Sequence, residues 1–256
     1  HITFQPVLAR PVDHAHAALA DALDQFVVAE ATLRRVGEID RQLLGPTDRP
    51  LQYWKPQRFS VGDTFPFFDG QTFRFFYLRD KRHHRSKNGL GAHQWAQASS
   101  RDLVHWTHHP LALAITDASE ASICTGSLFR HDGKTHAFYA TRLLDKSERL
   151  SFATSDDGVA FRKEPTSLAP PAGWGKDFRD PVVFTVPGEA GFQMFVTASR
   201  PGAGGVLARY RSDDLRSWTA SESIVTGGPP PECPDHFAWN GWYYLVYSEH
   251  LHARYR

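Results

Sequence analysis

Three carboxylates in this sequence lie beside short apolar segments that are typical of β-strands. Asp63 precedes Thr-Phe-Pro, Asp180 lies between an arginine and a proline, and Glu232 lies in the sequence Pro-Glu-Cys-Pro. Carboxylates that share one site repel one another, and burial raises the pKa of at least one of them. One carboxylate acting as nucleophile or base beside another acting as general acid is the arrangement that cleaves glycosidic bonds.

An internal repeat explains how these acids could meet. A serine, an aspartate two residues later and an aromatic residue four further on occur together three times, about 55 residues apart. The copies are Ser100-Asp102-Trp106, Ser155-Asp157-Phe161 and Ser212-Asp214-Trp218. A Ser/Asp turn binds its own backbone amides and can join two strands, and we expect the aromatic ring to pack between neighbouring units. A period of this length in a strand-rich chain predicts the blades of a β-propeller.

Each repeat also has a turn signal between two apolar strands. The signals are Asp69-Gly70, Asp132-Gly133, residues 187–191 and Asn240-Gly241. The strands before these turns are predicted at residues 64–68, 128–129, 182–186 and 236–239. In a propeller the first strand of each blade lines the central channel, so the three acids are expected around its axis. A β-sandwich of regular hairpins is the alternative fold.

Composition limits the classes of function. The chain has 256 residues, 41% hydrophobic and 22% charged, with a net charge of +1, which indicates a globular protein and gives no reason to expect nucleic acid or an anionic membrane as a partner. No apolar run is long enough to span a bilayer. The two cysteines, Cys124 and Cys233, are expected to be buried, and a bond between them stays open. No metal site and no cofactor are predicted, and the absence of a visible signal segment leaves cytoplasm and secretion open.

The motifs around the acids resemble those of glycoside hydrolase family 32, which contains invertases, inulinases and levanases. Arg179-Asp180-Pro181 is similar to its Arg-Asp-Pro motif and Glu232-Cys233-Pro234 to its Glu-Cys motif. The stretch 95–106 resembles the segment after the first blade's second strand, and residues 124–127 (Cys-Thr-Gly-Ser) resemble a Phe-Ser-Gly-Ser element. The resemblance covers residues 53–256.

The resemblance implies an all-β, five-bladed propeller. Residues 53–256 would form its catalytic domain but supply only about three and a half blades, so we expect a chain truncated at its C-terminus. The alternative is that the N-terminal segment completes the ring. Residues 1–52 have few aromatic residues, and Leu19, Leu23 and Phe26 fall near helical spacing. They are expected to form a short, partly helical N-terminal segment of unclear role.

The resemblance also implies roles for individual residues. Asp63 would be the nucleophile, Glu232 the general acid/base, and Asp180 a group that stabilises the transition state. Arg179 would neutralise and orient these acids, and the mechanism would retain the anomeric configuration. Two further residues are implied to contact the sugar: Trp95 and Thr125.

Two departures from the family pattern lie near the proposed nucleophile. Residues 62–66 read Gly-Asp-Thr-Phe-Pro where the family has Asn-Asp-Pro-Asn-Gly, and Leu78 stands where the family has a glutamine. Cleavage of terminal fructofuranosides, as in sucrose or fructans, is therefore expected, with the natural substrate left open. Three alternatives remain: an inverting, arabinan-active furanosidase resembling family 43, a fructosyl-transferring enzyme, and a non-catalytic sugar-binding propeller. The last would be expected to lack one of the three acids, and all are present.

Overall fold

A computed structural model describes residues 59–80, 92–249 and 252–255, and these residues form fifteen β-strands and no helix. The predictions for residues 1–52 and for the first residues of the propeller domain, 53–58, lie outside the described residues. In the part of the chain that the structure describes, no helix of the length and apolarity needed to cross a membrane is found.

The strands form four sheets in which neighbours along the chain are neighbours in the sheet. The first sheet contains β1 (Ser60–Phe68), β2 (Phe73–Asp80), β3 (Gln94–Ser100) and β4 (Thr107–His108). The second contains β5 (Glu120–His131), β6 (Lys134–Leu143), β7 (Glu148–Ser155) and β8 (Arg162–Leu168). The third contains β9 (Phe178–Phe184), β10 (Phe192–Arg200), β11 (Gly204–Ser212) and β12 (Thr219–Val225), and the last contains β13 (Glu232–Trp239), β14 (Trp242–Glu249) and β15 (His252–Tyr255). The propeller-blade arrangement predicted from the repeat is confirmed.

The residues group into two compact units. One contains Pro56–His236 and Leu245–Arg256, and the only described residues of the other are Phe237–Tyr244, where β13 turns into β14. This segment turns through Asn240 and Gly241, which have φ angles of +49° and +80°. Two successive positive φ angles fit the type I′ turn that joins tightly paired strands.

The Ser/Asp turns are confirmed in all three copies. In the third, the Asp214 carboxylate accepts hydrogen bonds from the amides of Arg216 and Ser217 at 2.8 and 2.7 Å, and the Ser212 hydroxyl donates to it at 3.1 Å. The other two copies make the same bonds. Each turn joins the third strand of a blade to its fourth and satisfies its own backbone amides.

Two of the three repeat aromatics pack between blades, as predicted. Phe161 of the second blade contacts Phe76 of the first edge-on, at 5.9 Å between ring centroids. Trp218 of the third blade contacts Phe138 of the second, also at 5.9 Å. The prediction is wrong for Trp106, which packs on its own blade against Phe75, at 6.1 Å.

Each of the first three blades has a β-bulge near the start of its innermost strand. The bulged pairs and the single residues opposite them are Gly62-Asp63 opposite Leu78, Cys124-Thr125 opposite Ala140, and Asp180-Pro181 opposite Val196. A bulge places two residues against one and turns their side chains away from the regular alternation. The bulged strands β1, β5 and β9 lie beside one another, because β5 contacts both of the others.

The bulges explain why the innermost strands were predicted incorrectly. The bulged strands β1, β5 and β9 begin earlier than expected, at Ser60, Glu120 and Phe178, and β9 ends at Phe184 rather than at residue 186. The innermost strand of the last sheet, β13, also begins early, at Glu232. The extra residue breaks the apolar–polar alternation that marks a strand in the sequence. Asp63 and Asp180 therefore lie inside their strands, although the sequence placed them at or just before the strand start.

We expect Gly126→Ala to destabilise the protein strongly. A Cβ atom at this position would lie 1.9 Å from the carbonyl oxygen of Phe138 on the neighbouring strand, so the backbone would have to move. The loss in free energy of unfolding should be about 3 kcal/mol or more. Gly133→Ala is the control: it has open space and only a left-handed φ of +74° to accommodate, which costs about 1 kcal/mol. Equal losses in urea unfolding would contradict the steric argument.

Candidate active site

Asp63 is presented by the bulge of β1 and is exposed. Its Oδ2 atom accepts a hydrogen bond of 2.5 Å from the hydroxyl of Thr125, which lies in the equivalent bulge of β5. Thr125 is itself 8% exposed, so the bond has a fixed donor. The Asp63 carboxylate of the first blade thus meets the Thr125 hydroxyl of the second blade, and this hydroxyl orients the carboxylate.

Asp180 lies in the bulge of β9 and is buried. Its Oδ2 atom accepts a 3.0 Å hydrogen bond from the amide of Cys233, which follows Glu232 on β13. Burial raises the pKa of Asp180 to about 6; Arg179 and the Cys233 amide oppose this shift, and the negative charges of Asp63 and Glu232 add to it. The three predicted carboxylates therefore lie close enough to influence each other.

Two residues of this cluster have backbone conformations that are unusual for residues other than glycine. Asp180 has a φ of +53° and Cys233 a φ of +49°. Residues other than glycine rarely occupy this left-handed region, and those that do cluster at functional sites. The hydrogen bond between these two residues joins the third blade to the fourth at this point.

Arg179 lies at the centre of the cluster, and its guanidinium faces four carboxylates. Nη2 donates to Glu232 at 2.6 Å, and Nη1 donates to Asp177 at 2.7 Å. Nη1 also lies 3.7 Å from Glu148, and Nε lies 3.9 Å from Asp180. Burial disfavours the charged guanidinium, but these carboxylates outweigh it and raise the pKa of Arg179.

Two of these carboxylates, Asp177 and Glu148, were not predicted from the sequence. Asp177 could have been found, because it lies two residues before Arg179 and residues two apart on an extended segment share a face. Glu148 is on β7 of the preceding blade, 31 residues from Arg179 along the chain, and no local pattern connects the two.

Trp95 lies behind the site, and the structure does not bring it to the surface. Its side chain is fully buried, and its ring packs against Phe65 at 4.3 Å and Tyr139 at 5.7 Å between centroids. Its indole N–H donates to the Cys124 carbonyl at 2.8 Å. A ring with no exposed surface cannot lie against a sugar, so the contact implied by the resemblance is not available to it. Its bond instead supports the bulge that presents Thr125.

Both cysteines are free thiols, which answers the question of a disulfide between them. Cys124 is buried as expected, and burial raises the pKa of its thiol to about 11. The expectation of burial is wrong for Cys233, which is exposed. Its sulfur lies 3.8 Å from Oδ2 of Asp63.

Two cavities of the protein lie away from the three carboxylates. One of about 280 Å³ is bordered by His136, Phe152 and Glu164 of the second blade, and one of about 400 Å³ by Arg74 and His105 of the first. Neither is lined by any of the three acids. Within residues 59–80, 92–249 and 252–255, no cluster of three or more histidine, cysteine or acidic side chains is arranged to hold a metal ion.

Comparison with known proteins identifies relatives of this chain. Residues 63–252 match the glycosyl hydrolases family 32 N-terminal domain. The chain is 34% identical over 181 residues to sucrose-6-phosphate hydrolase of Escherichia coli and 30% identical over 195 residues to raffinose invertase of the same organism. These alignments cover 65% and 71% of this chain, which spans about two-fifths of the relatives, 37% and 39% of their lengths.

A solved structure of a glycoside hydrolase family 32 enzyme is also similar to this chain. The β-fructofuranosidase of Bombyx mori, determined as a mutant in complex with sucrose, superposes with a TM-score of 0.63 and 25% sequence identity. The superposition covers 86% of this chain and 48% of that one.

The raised pKa of Asp180 predicts a measurable dependence of stability on pH. A carboxyl whose pKa is higher in the folded state stabilises the fold most below its unfolded pKa of about 4, and this contribution is lost as the pH rises through about 6. Asp180→Asn keeps an acceptor for the Cys233 amide without the charge. We expect this variant to be more stable than wild type at pH 7, by at most about 3 kcal/mol. In urea unfolding the gain should disappear below about pH 4; a gain that is the same at both pH values would contradict the assignment.

Proposed function

This chain belongs to glycosyl hydrolase family 32, and on that premise we propose that the protein hydrolyses terminal β-fructofuranosides with Asp63 as nucleophile and Glu232 as general acid/base. The observation that carries the proposal is that three carboxylates from the innermost strands of three blades meet around two residues. Glu232 and Asp180 face Arg179, and Cys233 contacts Asp180 through its amide and Asp63 through its sulfur. Repulsion among these charges makes the cluster costly, so a chemical role is the better account of it.

Asp63 is suited to attack the anomeric carbon. It is exposed, and the Thr125 hydroxyl and the Cys233 thiol both lie against the same oxygen, Oδ2. The other oxygen can approach a sugar bound at the surface of the cluster. Attack forms a covalent fructosyl–enzyme ester while the bond to the leaving-group oxygen breaks.

Glu232 is suited to donate the proton that the leaving group needs. Its side chain is 44% exposed, and only one of its oxygens is bonded to Arg179. The other oxygen can face the glycosidic oxygen. After the leaving sugar departs, the resulting carboxylate can take a proton from water as that water attacks the ester, which releases fructose and restores both residues.

Asp180 and Arg179 complete the proposed site without forming a covalent bond to the substrate. Asp180 is buried and held by the Cys233 amide, so one oxygen remains for hydroxyl groups of the sugar. Such bonds strengthen as positive charge develops on the ring. Arg179 separates the charges of Asp180 and Glu232 and fixes their positions.

The proposed substrates share one chemical feature. The relatives are named for sucrose-6-phosphate and raffinose, and the Bombyx mori enzyme was solved with sucrose. Each of these sugars carries a terminal fructofuranosyl residue in β linkage. We propose that this residue occupies the site at the three carboxylates, whichever group is attached to it.

We expect Asp63→Asn and Glu232→Gln each to lower kcat by at least about 10³-fold on sucrose or inulin, because one variant loses the nucleophile and the other the proton donor. Fructose release, measured at the pH optimum, tests this. Asp132→Asn, in a hairpin turn, and Glu222→Gln, on β12, are matched controls and should retain full activity. Near-normal turnover by either site variant would remove that residue from the mechanism.

Product stereochemistry tests the double displacement. Two successive displacements at the anomeric carbon release fructose with the configuration of the substrate. Time-resolved NMR of a β-fructoside digest should show the β-anomer first. If the α-anomer appears first, a single displacement by water is at work, and the inverting mechanism of the family 43 type takes precedence. If sucrose and inulin are untouched while arabinan is cleaved, the substrate class is wrong as well.

A further inference from the structure

We propose that Glu148 is a positioning residue for the reaction. Its negative charge offsets part of the positive charge that Arg179 presents to Glu232, so that Glu232 can hold the proton it must donate. The inference rests on the proposed function, because it assigns Glu232 the role of proton donor. Glu148 touches neither the substrate nor the reacting atoms in this scheme and acts only through Arg179.

The two ends of the Arg179 guanidinium face opposite sides of the cluster. Nη2 donates to Glu232 at 2.6 Å on the open side. Nη1 points to the protein interior, where it donates to Asp177 at 2.7 Å and lies 3.7 Å from Oε2 of Glu148. One positive charge is therefore shared between the proposed proton donor and two carboxylates behind it.

Glu148 is held firmly in this place. Its side chain is 5% exposed, and its Oε1 atom accepts hydrogen bonds from Arg142 at 3.0 and 2.6 Å. Its Oε2 atom accepts a 3.1 Å hydrogen bond from the amide of Phe178, the residue directly before Arg179. Glu148 thus attaches β7 of the second blade to the start of β9 in the third, which fixes the strand that carries Arg179 and Asp180.

The sharing of charge matters because Glu232 must be protonated to act as an acid. An arginine with a charge-assisted bond to a carboxyl favours its ionised form. If the charge of Glu148 were removed, Arg142 would lose its partner and Arg179 one of its two interior carboxylates. Arg179, bonded to Glu232 at 2.6 Å, would then favour its ionised form more strongly, and the alkaline limb of the pH profile would move to lower pH.

The other charged and titratable groups around Arg179 and Glu232 are the same residues in wild type and variant. They are Asp63, Asp177, Asp180, Arg142, Cys124 and Cys233. A difference between the pH profiles of wild type and variant therefore reports the missing charge at position 148.

The test is the pH dependence of kcat and kcat/KM for Glu148→Gln on sucrose or inulin, from pH 4 to pH 8. Glutamine has the same length and keeps an acceptor for the Phe178 amide. We expect the alkaline limb to move to lower pH by about 0.5–1 unit, with kcat at the new optimum within about tenfold of wild type. Asp177→Asn, which removes the other interior carboxylate, should move the limb in the same direction. Glu222→Gln, an exposed position on β12, should leave it in place.

A merely structural role would give a different result. It would lower the free energy of unfolding and scale activity down equally at every pH, without moving the limb. That outcome, or a limb that moves to higher pH, would overturn the proposal, and Asp177→Asn decides the matter if Glu148→Gln does not fold. Failure of the proposed function is distinguishable, because wild type would then be inactive on fructosides or Glu232→Gln would remain active.

Discussion

The positive charge of Arg179 is the interaction on which the rest of this site depends. Four carboxylates lie within 4 Å of one guanidinium, and two of them, Asp180 and Glu148, are buried. Without a cation, carboxylates at these distances could not all be ionised in a partly buried setting. The planar guanidinium suits this task because its donors point in fixed and different directions, which a lysine ammonium cannot reproduce.

The scaffold supplies this cluster through one repeated device. In three successive blades the innermost strand has a bulge near its start, and the bulge presents Asp63, Thr125 or Asp180. Because β-bulges change the direction of side chains without ending the strand, the blades keep their hydrogen bonds and their packed interior. Side chains from neighbouring blades then meet at the site: Thr125 binds Asp63, and Glu148 binds the strand that carries Arg179.

The sequence predicted the blades well because their signals are local. A serine and an aspartate two residues apart form a turn by bonding their own neighbours, and an Asp-Gly or Asn-Gly pair closes a hairpin without distant help. The three acids could be found for the same reason, since each lies in a short motif. The pairing of Arg179 with Glu148 could not be found, because it depends on how one blade packs against the next. The sequence left the choice between blade packing and sugar contact open for Trp95 for the same reason: its motif is visible, but the core between the first two blades decides the direction in which the ring points.

The crowding of negative charge also affects a residue that takes no part in the proposed chemistry. Cys233 is exposed, yet desolvation by its surroundings, together with Asp180, Asp63 and Glu232, raises the pKa of its thiol far above neutrality. The thiolate is the form of cysteine that attacks disulfides and reacts with oxidants. Burial and the same carboxylates that form the proposed site therefore disfavour the reactive, ionised form of the thiol that lies beside them.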